Sequence, residues 1–170
     1  QSEGGELSIV NGGSVTLTNS YFAMGGRITV GDADSGKTSS LTTVAGDEKR
    51  PASLGGDYTG HEGETVLNIE KNGEVVLGTG VLVGHRASIQ DNVSKDATVN
   101  VNAGGKLQVA ASLQIGSVGD DEAVGVVNVN GGTLDASAAA VGLNSKSSLN
   151  INSGSFTAQS ITNNGAINVT

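Results

Sequence analysis

Cysteine and tryptophan are missing from this 170-residue chain, proline occurs once, and the aromatic residues are Tyr21, Phe22, Tyr58 and Phe156 alone. Without cysteine there is no disulfide framework, so packing and hydrogen bonding must hold the chain together. With so few rings a thick globular core is out of reach; the apolar residues are nearly all Val, Ile, Leu and Ala, which suit a narrow interior. No apolar run is long enough to cross a bilayer as a helix or to serve as a signal peptide. The chain starting at Gln1 is therefore expected to be a processed piece of a longer protein, with any secretion signal out of view. Positive charge is scarce as well: 9 Lys and Arg against 17 Asp and Glu give a net charge of -8, and Lys49-Arg50 is the one basic pair. That balance argues against nucleic acid as a partner. Glycine is abundant, at 27 residues, but has no triplet period, which excludes collagen.

What is present is a repeat. Apolar-Asn-apolar occurs five times, as Leu67-Asn68-Ile69, Val99-Asn100-Val101, Val127-Asn128-Val129, Leu149-Asn150-Ile151 and Ile167-Asn168-Val169, and Leu7-Ser8-Ile9 differs only in its middle residue. A Gly-containing turn and a second strand-like pair follow the copies that begin at Leu7, Leu67, Val99, Val127 and Leu149; Val75/Leu77 and Leu107/Val109 are examples. A third element closes the unit: Ile28-Thr29-Val30-Gly31, Val81-Leu82-Val83-Gly84, Leu113-Gln114-Ile115-Gly116 and Ala139-Ala140-Val141-Gly142, with the fifth ending at Ile161.

Three short period-2 segments per unit are what a β-solenoid needs, with one row of side chains facing a thin interior and the alternate row facing out. One coil cannot bury its own apolar row, so stacking makes the core. The expectation is an all-β chain forming a single domain over residues 1-170, a parallel β-helix of about five three-stranded coils. In-register stacking would put the five Asn side chains in one outward column, each amide bonded to the next. Inward positions would include Leu67, Val101, Leu134 and Phe156.

Coil starts lie 60, 32, 28, 22 and 18 residues apart, while the coil bodies hardly change length. The variation falls after the closing Gly, in Asp32 to Thr65, His85 to Thr98, Ser117 to Val126, Leu143 to Ser148 and Thr162 to Gly165. These segments are expected as loop insertions stacked along one edge, and residues 32-65 as the longest of them. In repeat proteins such an edge is where partners bind. Its candidate contact residues are Asp34, Lys49, Arg50, Tyr58, His61, His85 and Arg86. Thr18 to Arg27 adds Tyr21, Phe22 and Met24 to the first coil, where they are expected to plug the open end, with a ligand pocket as the alternative. At the other end Ile167-Asn168-Val169 opens a further coil without a polar cap, so the protein is expected to continue beyond Thr170.

Several segments imitate catalytic or binding motifs. Gly31-Asp32-Ala33-Asp34-Ser35-Gly36-Lys37-Thr38 fits the phosphate-loop pattern, which works by feeding a strand into a helix N-terminus. The residues after it, Ser39 to Gly46, are β-branched or small and polar and make a poor helix, so no nucleotide is expected. Asp32 and Asp34 also resemble the opening of a calcium loop without its remote Glu, and Gly119-Asp120-Asp121-Glu122 is a weaker case; both read as solvated acidic turns. His61 and His85 have no Ser, Cys or metal-ligand set tied to them. Glu70, Glu74, Lys106 and Asp135 sit near strand ends without forming a pair at catalytic separation. The expectation is no enzyme, no metal and no cofactor.

Leu113-Gln114-Ile115-Gly116, a polar loop, and then Val127-Asn128-Val129-Asn130-Gly131-Gly132-Thr133-Leu134 resemble the passenger-associated repeat of bacterial autotransporters. The pairing recurs as Val83-Gly84 with Val99 to Leu107 and as Val141-Gly142 with Leu149 to Phe156. The resemblance implies a right-handed β-helix, exported to the surface of a Gram-negative bacterium as the passenger of a type V secretion system. It also implies a membrane barrel C-terminal to these residues and a role in adhesion, aggregation or biofilm formation. Partners would be components of host or bacterial surfaces or matrix, with self-association possible and no membrane insertion of this segment. The alternatives are a carbohydrate-active or carbohydrate-binding β-helix, disfavoured by the shortage of aromatic rings, and a self-assembling surface-fibre subunit.

Overall fold

The computed structural model describes residues 5-18, 23-44, 51-55, 65-86, 94-116 and 123-170. No helix occurs among them. The chain runs through β1 (Glu6–Ile9), β2 (Ser14–Thr18) and β3 (Ala23–Met24), then β4 (Arg27–Val30), β5 (Ser39–Val44) and β6 (Ala52–Leu54). Next come β7 (Thr65–Ile69), β8 (Gly73–Leu77) and β9 (Val81–Val83), and a small hairpin of β10 (His85–Arg86) with β11 (Ser94–Lys95). Then follow β12 (Ala97–Asn102), β13 (Lys106–Val109) and β14 (Ser112–Ile115), the long β15 (Gly125–Leu143) and β16 (Ser148–Asn163), and finally β17 (Ala166–Val169).

All pairings outside the β10-β11 hairpin are parallel and join each strand to the one lying a full turn away, giving a nearly closed, solenoid-like sheet. On the first face Leu7, Ile28, Leu67, Val99, Val127, Leu149 and Ile167 stand in one row. The second face aligns Val15, Leu41, Val75, Leu107, Leu134 and Phe156. The third aligns Met24, Leu54, Val83, Ile115, Leu143 and Asn163. β15 and β16 each supply all three faces in one strand that bends at the corners.

Two expectations fail at the amino-terminal end. Ile28-Thr29-Val30 does not close the first coil: it pairs with Leu7 to Ile9 and with Leu67 to Ile69, so it opens a second turn. Residues 32-65 are consequently not a loop insertion, because β5 and β6 inside this span complete that turn, with Leu41 and Leu54 fully buried. The described residues thus make six turns and the first strand of a seventh, not about five. The apparent 60-residue spacing divides into steps of 21 and 39 residues. The sequence hides this turn because Thr29 takes the outward place that Asn holds elsewhere and Ser39 to Val44 lacks the Gly-led approach of its counterparts.

Gly31 likewise sits at the corner between the first and second faces, and Gly142 aligns with Gln114 inside a strand. The position that follows the third strand is held instead by Gly55, Gly84, Gly116 and Asn144. Asn144 takes over from glycine by closing the corner with its own amide, which donates to the Ala123 carbonyl and accepts from the Ser147 hydroxyl and the Lys146 N–H. At the other corner a Cβ at Gly132 would lie 2.6 Å from the Asn102 carbonyl oxygen of the turn before, so no side chain fits there.

The interior is one aliphatic stack. Leu67, Ile69, Val75, Leu77, Val101, Ile115, Val129 and Leu134 are wholly buried, as their phase predicts. Ile151 and Phe156, expected inside, are half-buried against the end of the stack. Each fully buried aliphatic side chain contributes about 1.5–3 kcal/mol, which many thin layers accumulate without any large ring. The outermost layers are less covered: Leu7 is 42% exposed, Ile161 46% and Val169 73%.

Candidate functional site

Outward side chains of the first face form a bonded array. The Asn100 amide donates to Asn68 Oδ1 at 2.9 Å, Asn128 to Asn100 at 2.9 Å, Asn150 to Asn128 at 2.8 Å and Asn168 to Asn150 at 2.7 Å. All five Asn of the repeat therefore stand in one continuous column, as the stacking argument expects. Strand alternation turns them outward, and parallel register brings each amide one strand spacing, about 4.8 Å, from the next.

A second column, two residues along, was missed. Asn102 donates to Glu70 Oε1 at 2.8 Å, Asn130 to Asn102 at 3.1 Å and Asn152 to Asn130 at 2.7 Å. Its signal was present in Asn100-Val101-Asn102, Asn128-Val129-Asn130 and Asn150-Ile151-Asn152, where period-2 alternation places both Asn on one face. Each amide has two N–H donors and two acceptor lone pairs, and the column uses one of each. Asn150 spends its second donor on the Ser148 hydroxyl at 3.4 Å, and the capacity left on the other amides makes the two columns a hydrogen-bonding strip.

The second face carries hydroxyls and charges instead. Ser14 and Ser40 bond at 2.9 Å, and the Ser155 hydroxyl donates to Thr133 at 3.3 Å. Glu74 and Lys106 are register neighbours between these pairs. Asp135 lies on the same face, its carboxyl held below the ordinary range by the Ser137 hydroxyl and the Ser137 N–H, the latter bonding at 2.9 Å. Glu70 belongs to the first face, so the four charged residues singled out in the sequence do not converge.

Asp34 is exposed in the turn between the first and second faces, where its N–H donates to Asp32 Oδ1 at 2.9 Å and the Ser35 hydroxyl bonds back to the turn. The turn leads into β5, a strand, so the helix N-terminus on which a phosphate loop depends is lacking. Among the described residues no group of three or more His, Asp or Glu could hold a metal ion. The backbone of His85 and Arg86 forms one strand of the β10-β11 hairpin, which leaves the corner between the third and first faces. Asp34 and this hairpin therefore occupy different corners, and the single loop edge expected to unite them is not formed. Lys49, Arg50, Tyr58 and His61 lie outside the described residues, as do Tyr21, Phe22 and Gly119 to Glu122.

From β9 onward the connections that leave the corner after the third face, residues 84-96, 116-124, 144-147 and 164-165, shorten along the chain. Compared with models of protein families, with curated proteins and with solved structures, the chain matches none.

Proposed function

We propose that this chain is a non-catalytic segment of a bacterial surface protein, a right-handed β-helix that acts as a rigid adhesive stalk. Right-handed coiling is the sense favoured when a twisted strand returns to a parallel neighbour in the same sheet. The observation that carries the reading is the uninterrupted Asn column from Asn68 to Asn168, which ties successive turns together on the outside as the aliphatic stack does inside. Such a rod holds its surface chemistry at fixed spacing, which suits repeated weak contacts with another surface. The sequence resemblance to autotransporter passengers supplies the cellular setting: export through the outer membrane by way of a barrel C-terminal to these residues, display outside the cell, and contact with host or bacterial surface or matrix components or with further copies of the protein.

The test uses the chain itself. Latex beads coated with residues 1-170 are expected to adhere to bacterial lawns, epithelial layers or deposited matrix, or to clump, whereas beads coated with an unrelated β protein do neither. Beads that stay dispersed and unattached on every surface would overturn the adhesive reading.

A further inference from the structure

From the first face we infer that this chain has a binding strip for an uncharged, extended polyhydroxyl polymer, a linear β-glycan strand laid along the solenoid axis over Asn100, Asn102, Asn128, Asn130, Asn150 and Asn152. The inference rests on the adhesive reading and names its partner class. Its first support is charge. The chain carries a net charge of -8, yet from β12 onward the outward positions of the first face hold no charged residue, whereas the second face carries Lys106 and Asp135 over the same turns. A strip kept neutral on an acidic protein favours a neutral partner over a basic or acidic one.

The second support is hydrogen-bonding capacity. Column bonds of 2.7 to 3.1 Å hold the amides in place, and apart from Asn150, whose amide also donates to the Ser148 hydroxyl at 3.4 Å, each keeps at least one donor and one acceptor for solvent or ligand. A sugar hydroxyl is both donor and acceptor, so it can answer the free amide groups without burying a charge, and this edge-on contact does without the ring stacking whose shortage disfavours the usual carbohydrate-binding β-helix. Because the amides are already fixed, little side-chain freedom is lost when a ligand settles on them.

Size is the third support. From Asn100 to Asn168 the uncharged strip is three strand spacings long, roughly 14 Å, and its two columns are about 7 Å apart. That footprint is far below the ~800 Å² per partner of a stable protein–protein interface. It matches one polymer chain, whose successive units meet successive turns, so a partner with a repeat close to one strand spacing gains a contact at every turn.

Retention of the purified chain on microcrystalline cellulose, chitin and linear mannan, measured by depletion from solution, tests this. Retention on at least one of them is expected, little changed by high salt because no ion pair is involved. Asn128→Arg places a long charged side chain in the middle of the strip and should lower affinity at least about tenfold, or 1.4 kcal/mol. Gln108→Arg adds the same charge to the second face and should leave retention unchanged. Asn100→Thr with Asn150→Thr guards against misfolding, since Thr29 already occupies this column beside Asn68; it should weaken retention while the circular dichroism stays that of the parent and melting, though lowered, stays cooperative. No retention on any of the three glycans, or equal retention by the Asn128→Arg and Gln108→Arg chains, would overturn the inference. Bead adhesion without glycan binding would sink this inference and leave the adhesive reading standing; glycan binding by beads that adhere to nothing else would do the reverse.

Discussion

The first and second faces share one interior and differ on the outside. Inward they offer the same aliphatic rows, Leu67 and Ile69 on one side and Val75 and Leu77 on the other, all buried. Outward the first face builds continuous amide columns, while the second breaks its hydroxyl pairs with Glu74 and Lys106 between Ser40 and Thr133. The inward row decides whether the chain folds, since its burial supplies the free energy. The outward row is free to vary, and on the first face it has been used to build one uniform surface.

The harshest way to break the comparison is to remove inward rows from part of a turn. Excising Asp34 to Glu62 deletes β5 and β6, leaving β4 without the rest of its turn and Val75 without the Leu41 layer. That chain is expected to lose cooperative melting by circular dichroism. Removing residues 28-66 and joining Arg27 to Leu67 deletes one whole turn in register, because Ile28 and Leu67 are aligned, and this longer deletion is expected to fold. If both deletions behave alike, the second turn is not integral to the stack.

Single substitutions sharpen the same contrast. Val101→Asp puts a carboxylate among wholly buried aliphatic groups and should cost at least about 3 kcal/mol in denaturant unfolding. Asn100→Ser, one residue away and outward, removes two column bonds from a half-buried position and should cost about 1 kcal/mol or less. Equal losses would invert the strand phase.

The smallest effect belongs to the second face. Asp135 has a lowered pKa in the folded chain, so its contribution is present above its unfolded value near 3.8 and disappears as pH falls through the folded one. Asp135→Asn is expected to leave melting at neutral pH almost unchanged and to flatten slightly its dependence on acid below pH 4. A steeper acid dependence in the variant would contradict this sign.

The contrast also explains what could be read from the chain. Alternation reports burial directly, so turns three to six, from Leu67 to Leu149, are legible on the first and second faces, and the Asn68 to Asn168 column follows from them, whereas on the third face Gly142 is read two residues out of register. The second turn was not legible. Its outward residue is Thr29, and Thr42 and Thr43 blur its second strand, although Thr43 is buried. A threonine fits either side of a strand and so carries little phase information. Gly31 misled for a related reason: a glycine marks a tight backbone but not which corner it turns. The strip as a site was half legible, because the second column was written in the Asn-x-Asn spacing and its junction with Glu70 emerges only when turns three and four are stacked.

That junction gives the molecule a direction. Every bond in both columns is donated toward the amino-terminal side, from Asn168 through Asn150, Asn128 and Asn100 to Asn68, and from Asn152 through Asn130 and Asn102 to Glu70. A carboxylate has acceptors only, so Glu70 dictates how Asn102 must face, Asn102 dictates Asn130, and the instruction passes along the row. The aligned amide dipoles add as peptide dipoles do in a helix, with the positive pole at the end where Glu70 waits. One side chain thus acts as a compass for the row above it, and an otherwise repetitive surface acquires a head and a tail.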